Sequence, residues 1–292
     1  MFKRIGLFLL TNFLVIITVS IILGLVMPLL GIKINGVIGL GTMCGVFGMV
    51  GAFISLAMSR WMAKKVYNIQ VISSNEQNYE LRELYQMVAN LSKHAGLPAV
   101  PEVGVYQSAE PNAFATGPSK NKSIVAFSTG LLNSMNKNEV EAVAGHEISH
   151  IANGDMVTMT LLTGIANALV MFLSRIIAGA IDSAMRGDDN EGGLGFFAYI
   201  IVVNLLETVF MLLATIPIAA FSRYREYKAD AGAARLTTPS AMANALKSLS
   251  RAAEIPTQKD SFAIAKISSN RRVSLWSTHP SIEDRVARLQ KM

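Results

Sequence analysis

The 292-residue chain has one cysteine, four histidines and only 16% charged residues. A single cysteine, Cys44, excludes an intrachain disulfide and argues against cysteine-based catalysis. The charged fraction falls well short of the ~25% typical of soluble domains. Hydrophobic residues supply 51% of the chain, so part of its surface is expected to face lipid. The net charge is +6 and the pI near 9.4, yet no basic patch is interleaved with aromatics, so nucleic acid is not an expected partner. The basic residues gather beside apolar runs instead.

Residues 5–27 form an uncharged run long enough to cross a bilayer. It is too long for a cleavable signal peptide and no small-x-small site follows, so it reads as a signal anchor. After a loop holding Pro28, Gly31 and Lys33, a second run covers 34–59. Gly41, Gly45, Gly48 and Gly51 form a small-residue stripe there, suited to close helix packing. Two further runs, 157–181 and 195–221, are interrupted by Asn167 and Arg175, and by Asn204 and Glu207. Lys3 and Arg4, then Arg60, Lys64 and Lys65, then Arg223, Arg225 and Lys228 flank the runs, whereas the 182–193 link is acidic. The four apolar runs predict four spans, and the bias of basic residues places both termini and the site inside, with the hairpin loops outside. The chain then divides into an N-terminal hairpin (1–65), a first soluble segment (66–156), a second hairpin (157–221) and a second soluble segment (222–292). Glu207 and Asn167 fall at similar depth. Glu207 is expected to be protonated or hydrogen-bonded to Asn167, helping to hold the hairpin together; alternatively the pair forms a polar step where an unwound substrate segment enters.

His146-Glu147-Ile148-Ser149-His150 carries the strongest chemical signal. On a helix, positions i and i+4 share a face, so both imidazoles can grip one metal ion. Glu147 projects beside that ion, where it can hold a water. Asn138 and Glu141 read as a capping-box start, and Glu139, Glu141 and Asp155 are expected to stay in water. Gly145 leaves room for another element to approach the metal. A third protein ligand is required, and Glu226 is the better candidate over His94 and His279. Asp230, one turn beyond Glu226, is placed to accept a hydrogen bond from the far ring nitrogen of a liganding histidine. Read alone, Arg225, Glu226, Lys228 and Asp230 are also compatible with a plain exposed helix.

The remaining soluble sequence predicts an amphipathic helix over 76–95 and short strands at 102–107, 112–116 and 122–128. Asn112-Ala113-Phe114-Ala115 is uncharged and bounded by Pro111 and by Gly117-Pro118, as an edge strand would be. A helix is expected over 239–254 after Thr238, then a turn-rich stretch over 255–274. Thr278-His279-Pro280 opens a last helix containing Arg285. His94 reads as exposed and inert.

Taken together, the His-Glu-x-x-His motif, Glu226-x-x-x-Asp230, Pro111 to Ala115 and Thr278-His279-Pro280 resemble the HtpX-type membrane metallopeptidases, relatives of the CAAX prenyl endoproteases. The resemblance spans nearly the whole chain, with the motifs in family order. It implies a mainly α membrane protein with an α+β, gluzincin-type catalytic domain assembled from two sequence segments. It also implies one Zn²⁺ on His146, His150 and Glu226, and polypeptide substrates, chiefly damaged proteins of the bacterial cytoplasmic membrane. Glu147 would act as the base and His279 would stabilise the oxyanion. Arg285 would buttress nearby acids, and the 112–115 edge would bind substrate as an added strand. A membrane scaffold with a structural zinc, or a zinc hydrolase acting on a non-peptide, remains open at this stage.

Overall fold

The computed structural model describes residues 13–15, 17–19, 21–26, 29, 36–186, 192–254 and 275–292. Much of the first apolar run, its flanking Lys3, Arg4, Pro28, Gly31 and Lys33, the acidic residues Asp188, Asp189 and Glu191, and the stretch 255–274 lie outside the described residues. Along the chain run α1 (Gly36–Val66), β1 (Gln70–Ile72), α2 (Tyr79–His94), β2 (Glu102–Tyr106), β3 (Ala113–Ser119), β4 (Lys122–Ser128) and α3 (Thr129–Ser134). They are followed by α4 (Lys137–Asn153), α5 (Asp155–Ala184), α6 (Gly195–Leu236), α7 (Pro239–Glu254) and α8 (Ile282–Leu289). Two compact units result, one from Met1–Ser55 with Met159–Ile218, the other from Leu56–Thr158 with Ala219–Met292.

In the first unit, α1, α5 and α6 are each long and apolar enough to cross a membrane. Of the glycine stripe, Gly48 makes the closest approach: a Cβ there would sit 2.7 Å from both Gly164 O and Ala168 N of α5. Gly45, by contrast, faces open space. One small position, rather than the whole stripe, lets these two backbones touch. The expected Glu207–Asn167 bond is replaced by an ion pair, with Arg175 Nη1 donating to Glu207 Oε1 at 2.6 Å. Arg175 lies eight residues beyond Asn167, about two turns along α5, and its long side chain reaches Glu207.

The second unit packs helices on one small sheet of order β1-β2-β4-β3. β2 and β4 are parallel, and β1 and β3 pair antiparallel on the outside. β4 is central, and Ile124 to Phe127 are all fully buried. Among the described residues β3 pairs only with β4, and its other edge is unpaired. It continues through Gly117-Pro118 rather than stopping there, with an irregularity between Thr116 and Ser119. Gly117 makes this possible: its φ is +148°, and a Cβ would lie 2.3 Å from Lys122 O.

α2 buries Leu84, Val88 and Leu91 against this core, and Asn78 caps it by accepting from Glu80 and Leu81 N–H. α4 begins two residues earlier than the sequence suggested. Asn136 and Glu139 form the capping box, and Glu139 also accepts from Ser248 Oγ of α7 at 2.7 Å. Glu139 and Asp155 are both buried, contrary to the expectation that they stay wet. Each is tolerated because it has protein partners in place of water. α4 presents Val140, Ala144, Ile148 and Ile151 to the core. It ends at Gly154 in the left-handed conformation, φ +72°, so that Asp155 opens α5 immediately. Lys120 Nζ donates to Ala152 O, placing a cation at the negative end of α4.

α6 crosses α4 at Ser149 and Gly232. A Cβ at Gly232 would lie 2.3 Å from Ser149 Oγ and 2.7 Å from its Cβ. Gly145, expected to be the point of close approach, would accept a Cβ at 3.5 Å from Ala233 Cα, an ordinary contact. Gly232→Ala is therefore expected to destabilise the folded protein by roughly 1–3 kcal/mol through overpacking. Gly145→Ala should be neutral or stabilising, by up to about 1 kcal/mol, through helix propensity. Thermal unfolding of the two variants in detergent checks this, and equal destabilisation would place the close contact elsewhere.

Candidate active site

α4 carries His146 and His150 one turn apart, and α6 brings Glu226 against them. Glu226 Oε2 lies 3.7 Å from His146 Nε2, and Oε1 lies 3.5 Å from His150 Nε2. The two Nε2 atoms are 3.1 Å apart. Ligand atoms of all three residues fall within 4.8 Å of one another. Of the other two histidines, His279 touches Glu226, with Nδ1 3.1 Å from Oε2 and most of its ring exposed, whereas His94 is exposed and outside the ligand cluster.

Each liganding-type imidazole has a carboxylate behind it. His150 Nδ1 bonds Asp155 Oδ2 at 2.6 Å. His146 Nδ1 lies 3.0 Å from Asp230 Oδ1, close but outside the geometry of a well-aligned hydrogen bond. Asp155 received no such role from the sequence. Its signal was available: an aspartate just past an αL glycine, at the start of the next helix and five residues beyond a motif histidine. Arg225 Nη1 donates to the Asp155 carbonyl at 3.2 Å, holding that turn against α6.

Arg285, from α8, is the buried counter-charge. It grips Asp230 with two bonds, Nε to Oδ2 at 2.8 Å and Nη2 to Oδ1 at 2.6 Å, and its Nη1 lies 3.5 Å from Glu226 Oε2. A fork of this kind suits a carboxylate better than a point charge does. Arg223, which the sequence suggested only as a topology marker, donates to Ser277 O at 2.6 Å and to Leu275 O at 3.3 Å. It thereby holds the segment that presents His279.

Electrostatically the cluster is an anionic hole. Burial raises the cost of charge on Glu226, but the bonds to His150 and His279 and the nearby His146 outweigh it. They hold the carboxyl well below its usual range. Burial likewise opposes charge on Asp230, and the Arg285 and His146 contacts override it, so it too is depressed. For His150, burial favours the neutral ring, yet Asp155, Glu226 and the charge of Glu147 push its pKa up to about 9. Glu147 is half-buried beside this group on α4.

The donor set fits a divalent cation. With Asp155 and Asp230 favouring a proton on each Nδ1, both Nε2 lone pairs face one another and an ionised carboxylate. That arrangement is repulsive unless a proton or a metal ion lies between them. Two imidazole nitrogens and one carboxylate oxygen match three-ligand catalytic metal sites, which keep a further position for water or substrate. Near the ligands the helices also supply an acid, Glu147, that is free of the three-atom cluster.

The fold and this donor set together define a membrane metallopeptidase. The chain belongs to peptidase family M48, whose family model matches residues 76–292. It is 45% identical to the Protease HtpX homolog of Bacillus licheniformis over 99% of both chains, and 47% identical to Protease HtpX of Shewanella oneidensis, again over 99% of each. The crystal structure of S. mikatae Ste24p shares the fold, with a TM-score of 0.61 at 19% identity. That likeness covers 96% of this chain, which spans 66% of the Ste24p chain.

A proton on His150 competes with any cation at its Nε2. Its folded pKa is raised from 6.5 to about 9, so the stabilisation of the metal-free protein by this proton is complete below about pH 6.5 and is lost as pH rises through about 9. Cation affinity should move oppositely, gaining close to tenfold per pH unit between ~7 and ~9 and levelling off above. Titration of the metal-stripped protein with Zn²⁺ at a series of pH values reads this directly. An affinity flat over that window would remove His150 from the ligand set.

Proposed function

We propose that the protein is a zinc-dependent endopeptidase of the bacterial inner membrane, acting from the cytoplasmic side on damaged or misfolded membrane proteins. The observation that carries this reading is the convergence of His146, His150 and Glu226 with Glu147 alongside and Asp155, Asp230 and Arg285 behind. In this reading His146, His150 and Glu226 hold one Zn²⁺. When bound, the ion supplies Lewis acidity, lowering the pKa of water and polarising a carbonyl.

The chain's own groups do the rest. Glu147 takes a proton from the attacking water and later delivers it to the leaving amine. Asp155 and Asp230 fix the orientation of the two rings, and Arg285 keeps Asp230 ionised and in place while contacting Glu226. His279, exposed and beside Glu226, donates a hydrogen bond to the developing oxyanion. β3 supports strand addition: among the described residues its outer edge is unpaired and it packs on α4, so residues Asn112 to Ala115 can align an extended peptide by main-chain bonds that ignore side-chain identity. Broad substrate range follows from that mode.

Four spans, with both termini and the catalytic segments on the cytoplasmic side, are supported by the apolar runs and by the basic clusters at 60–65 and 223–228. The division into hairpins 1–65 and 157–221 and catalytic segments 66–156 and 222–292, joined in a gluzincin-type domain, belongs to the same reading.

Glu147→Gln should retain zinc and lose at least about three orders of magnitude in turnover, within the range general acid–base catalysis contributes. Glu226→Ala should lose zinc itself. The assay is cleavage of an unfolded polypeptide by detergent-purified, zinc-loaded protein, with metal content measured in parallel. Equal zinc loss in both variants would overturn the division of roles, and full activity of Glu147→Gln would overturn the assignment of the base.

A further inference from the structure

The first unit contains a cavity of about 530 Å³ among α1, α5 and α6, lined by Phe47, Val170 and Met171 and by the polar residues Asn167, Asn204, Glu207 and Thr208. Asn167 lies ten residues into the 157–181 run, and Asn204 and Glu207 lie nine and twelve residues into the 195–221 run. At ~1.5 Å per residue, all three fall near the middle of a ~30 Å hydrocarbon layer. Glu207 is neutralised by Arg175. Asn204 spends its Nδ2 on Ile200 O and Thr208 its hydroxyl on Asn204 O, bonds within their own helix. The Asn167 carboxamide has no hydrogen-bond partner among the described residues, its backbone being bonded within α5. Asn204, Thr208, Met211 and Leu212 are exposed, so the cavity opens sideways rather than into a sealed core.

An unpartnered carboxamide at this depth is costly in lipid unless something else meets it. The cavity is too small for a whole helix, which is ~10 Å across, but has room for one or two side chains. We infer that it is a recognition site for a polar side chain carried in the middle of a substrate's membrane helix. An assembled membrane protein hides such a residue against its own partners, whereas an orphaned or misassembled helix leaves it facing lipid. Asn167 and Asn204 each offer donor and acceptor, so Asn, Gln, Ser or protonated Asp on the substrate can be matched. Phe47, Val170, Met171 and Met211 cover the aliphatic turn around it. The site thereby converts the misassembly of a substrate into a gain in its binding. This inference rests on the proposed cleavage of membrane proteins and names the feature by which they are chosen.

The test uses the zinc-loaded full chain in phosphatidylethanolamine–phosphatidylglycerol vesicles. Two single-span substrates share one cleavable unfolded tail, and their Leu-Ala membrane helices differ only in a central Leu or Asn. The Asn helix should be cut about three- to tenfold faster at limiting substrate, the scale of one interhelical polar contact in a membrane. In the Asn167→Leu, Asn204→Leu double variant the ratio of the two substrates should fall to one. A ratio of one in the parent, or an unchanged ratio in the double variant, would overturn the inference. Because that variant could misfold, a photoreactive group beside the central Asn is also crosslinked to the parent. Crosslinks should map to residues 163–171 and 204–212 and depend on the Asn. Crosslinks scattered over lipid-facing helices, or independent of the Asn as a lipid-filled cavity would give, overturn it equally. Asn-dependent crosslinks at the cavity without cleavage of any polypeptide would support the inference and instead sink the peptidase reading.

Discussion

Two buried carboxylates one turn apart on α6, Glu226 and Asp230, are the constraint round which the catalytic unit is built. Neither can stay ionised in a protein interior without compensation, and isolated buried charges cost many kcal/mol. Arg285 from α8 bonds both sides of Asp230 and reaches Glu226, while His146 and His150 from α4 and His279 from the segment before α8 close the remaining directions. Three pieces of chain far apart in sequence are therefore held together by one charge cluster. Packing at Ser149 and Gly232 sets the distance at which α4 and α6 can meet it.

The same cluster explains why the site favours a cation. Its carboxylates are held ionised by burial-compensating contacts, and its imidazoles are turned so that their lone pairs converge. A divalent ion among them would relieve that crowding of negative and lone-pair density. The arrangement also separates tasks by position on α4. His146 and His150 face α6 at i and i+4, while Glu147 points elsewhere round the helix and is left out of the three-atom cluster.

In the other unit, polar residues follow a different rule. Arg175 and Glu207 cancel one another, and Asn204 and Thr208 bond back to their own helix, which is how lipid-facing polar groups are usually satisfied. Gly48 permits the backbones of α1 and α5 to touch, so the helices pack tightly at one level and leave beside it a largely apolar cavity into which four polar residues face.

Local pattern alone determined the apolar runs, the helix under the His-Glu-x-x-His motif, the helix over 239–254, and the pairing of Glu226 with Asp230 on one face. Each depends on period and composition, which are properties of consecutive residues. The capping box at Asn136 was missed in favour of Asn138 because both carry a Glu three residues on, and only burial of Glu139 against Ser248 distinguishes them. Gly117-Pro118 looked like a strand end, since a bulge and a turn share the same residues until a partner strand is present. Asp155 looked solvated because a carboxylate at a helix start is ordinarily exposed; its bond to His150 exists only once α4 turns at Gly154. Likewise Glu207 found Arg175 rather than Asn167, and Gly232 rather than Gly145 became the crossing point. Those outcomes depend on distances between separate elements, which tertiary packing sets and no stretch of neighbouring residues contains.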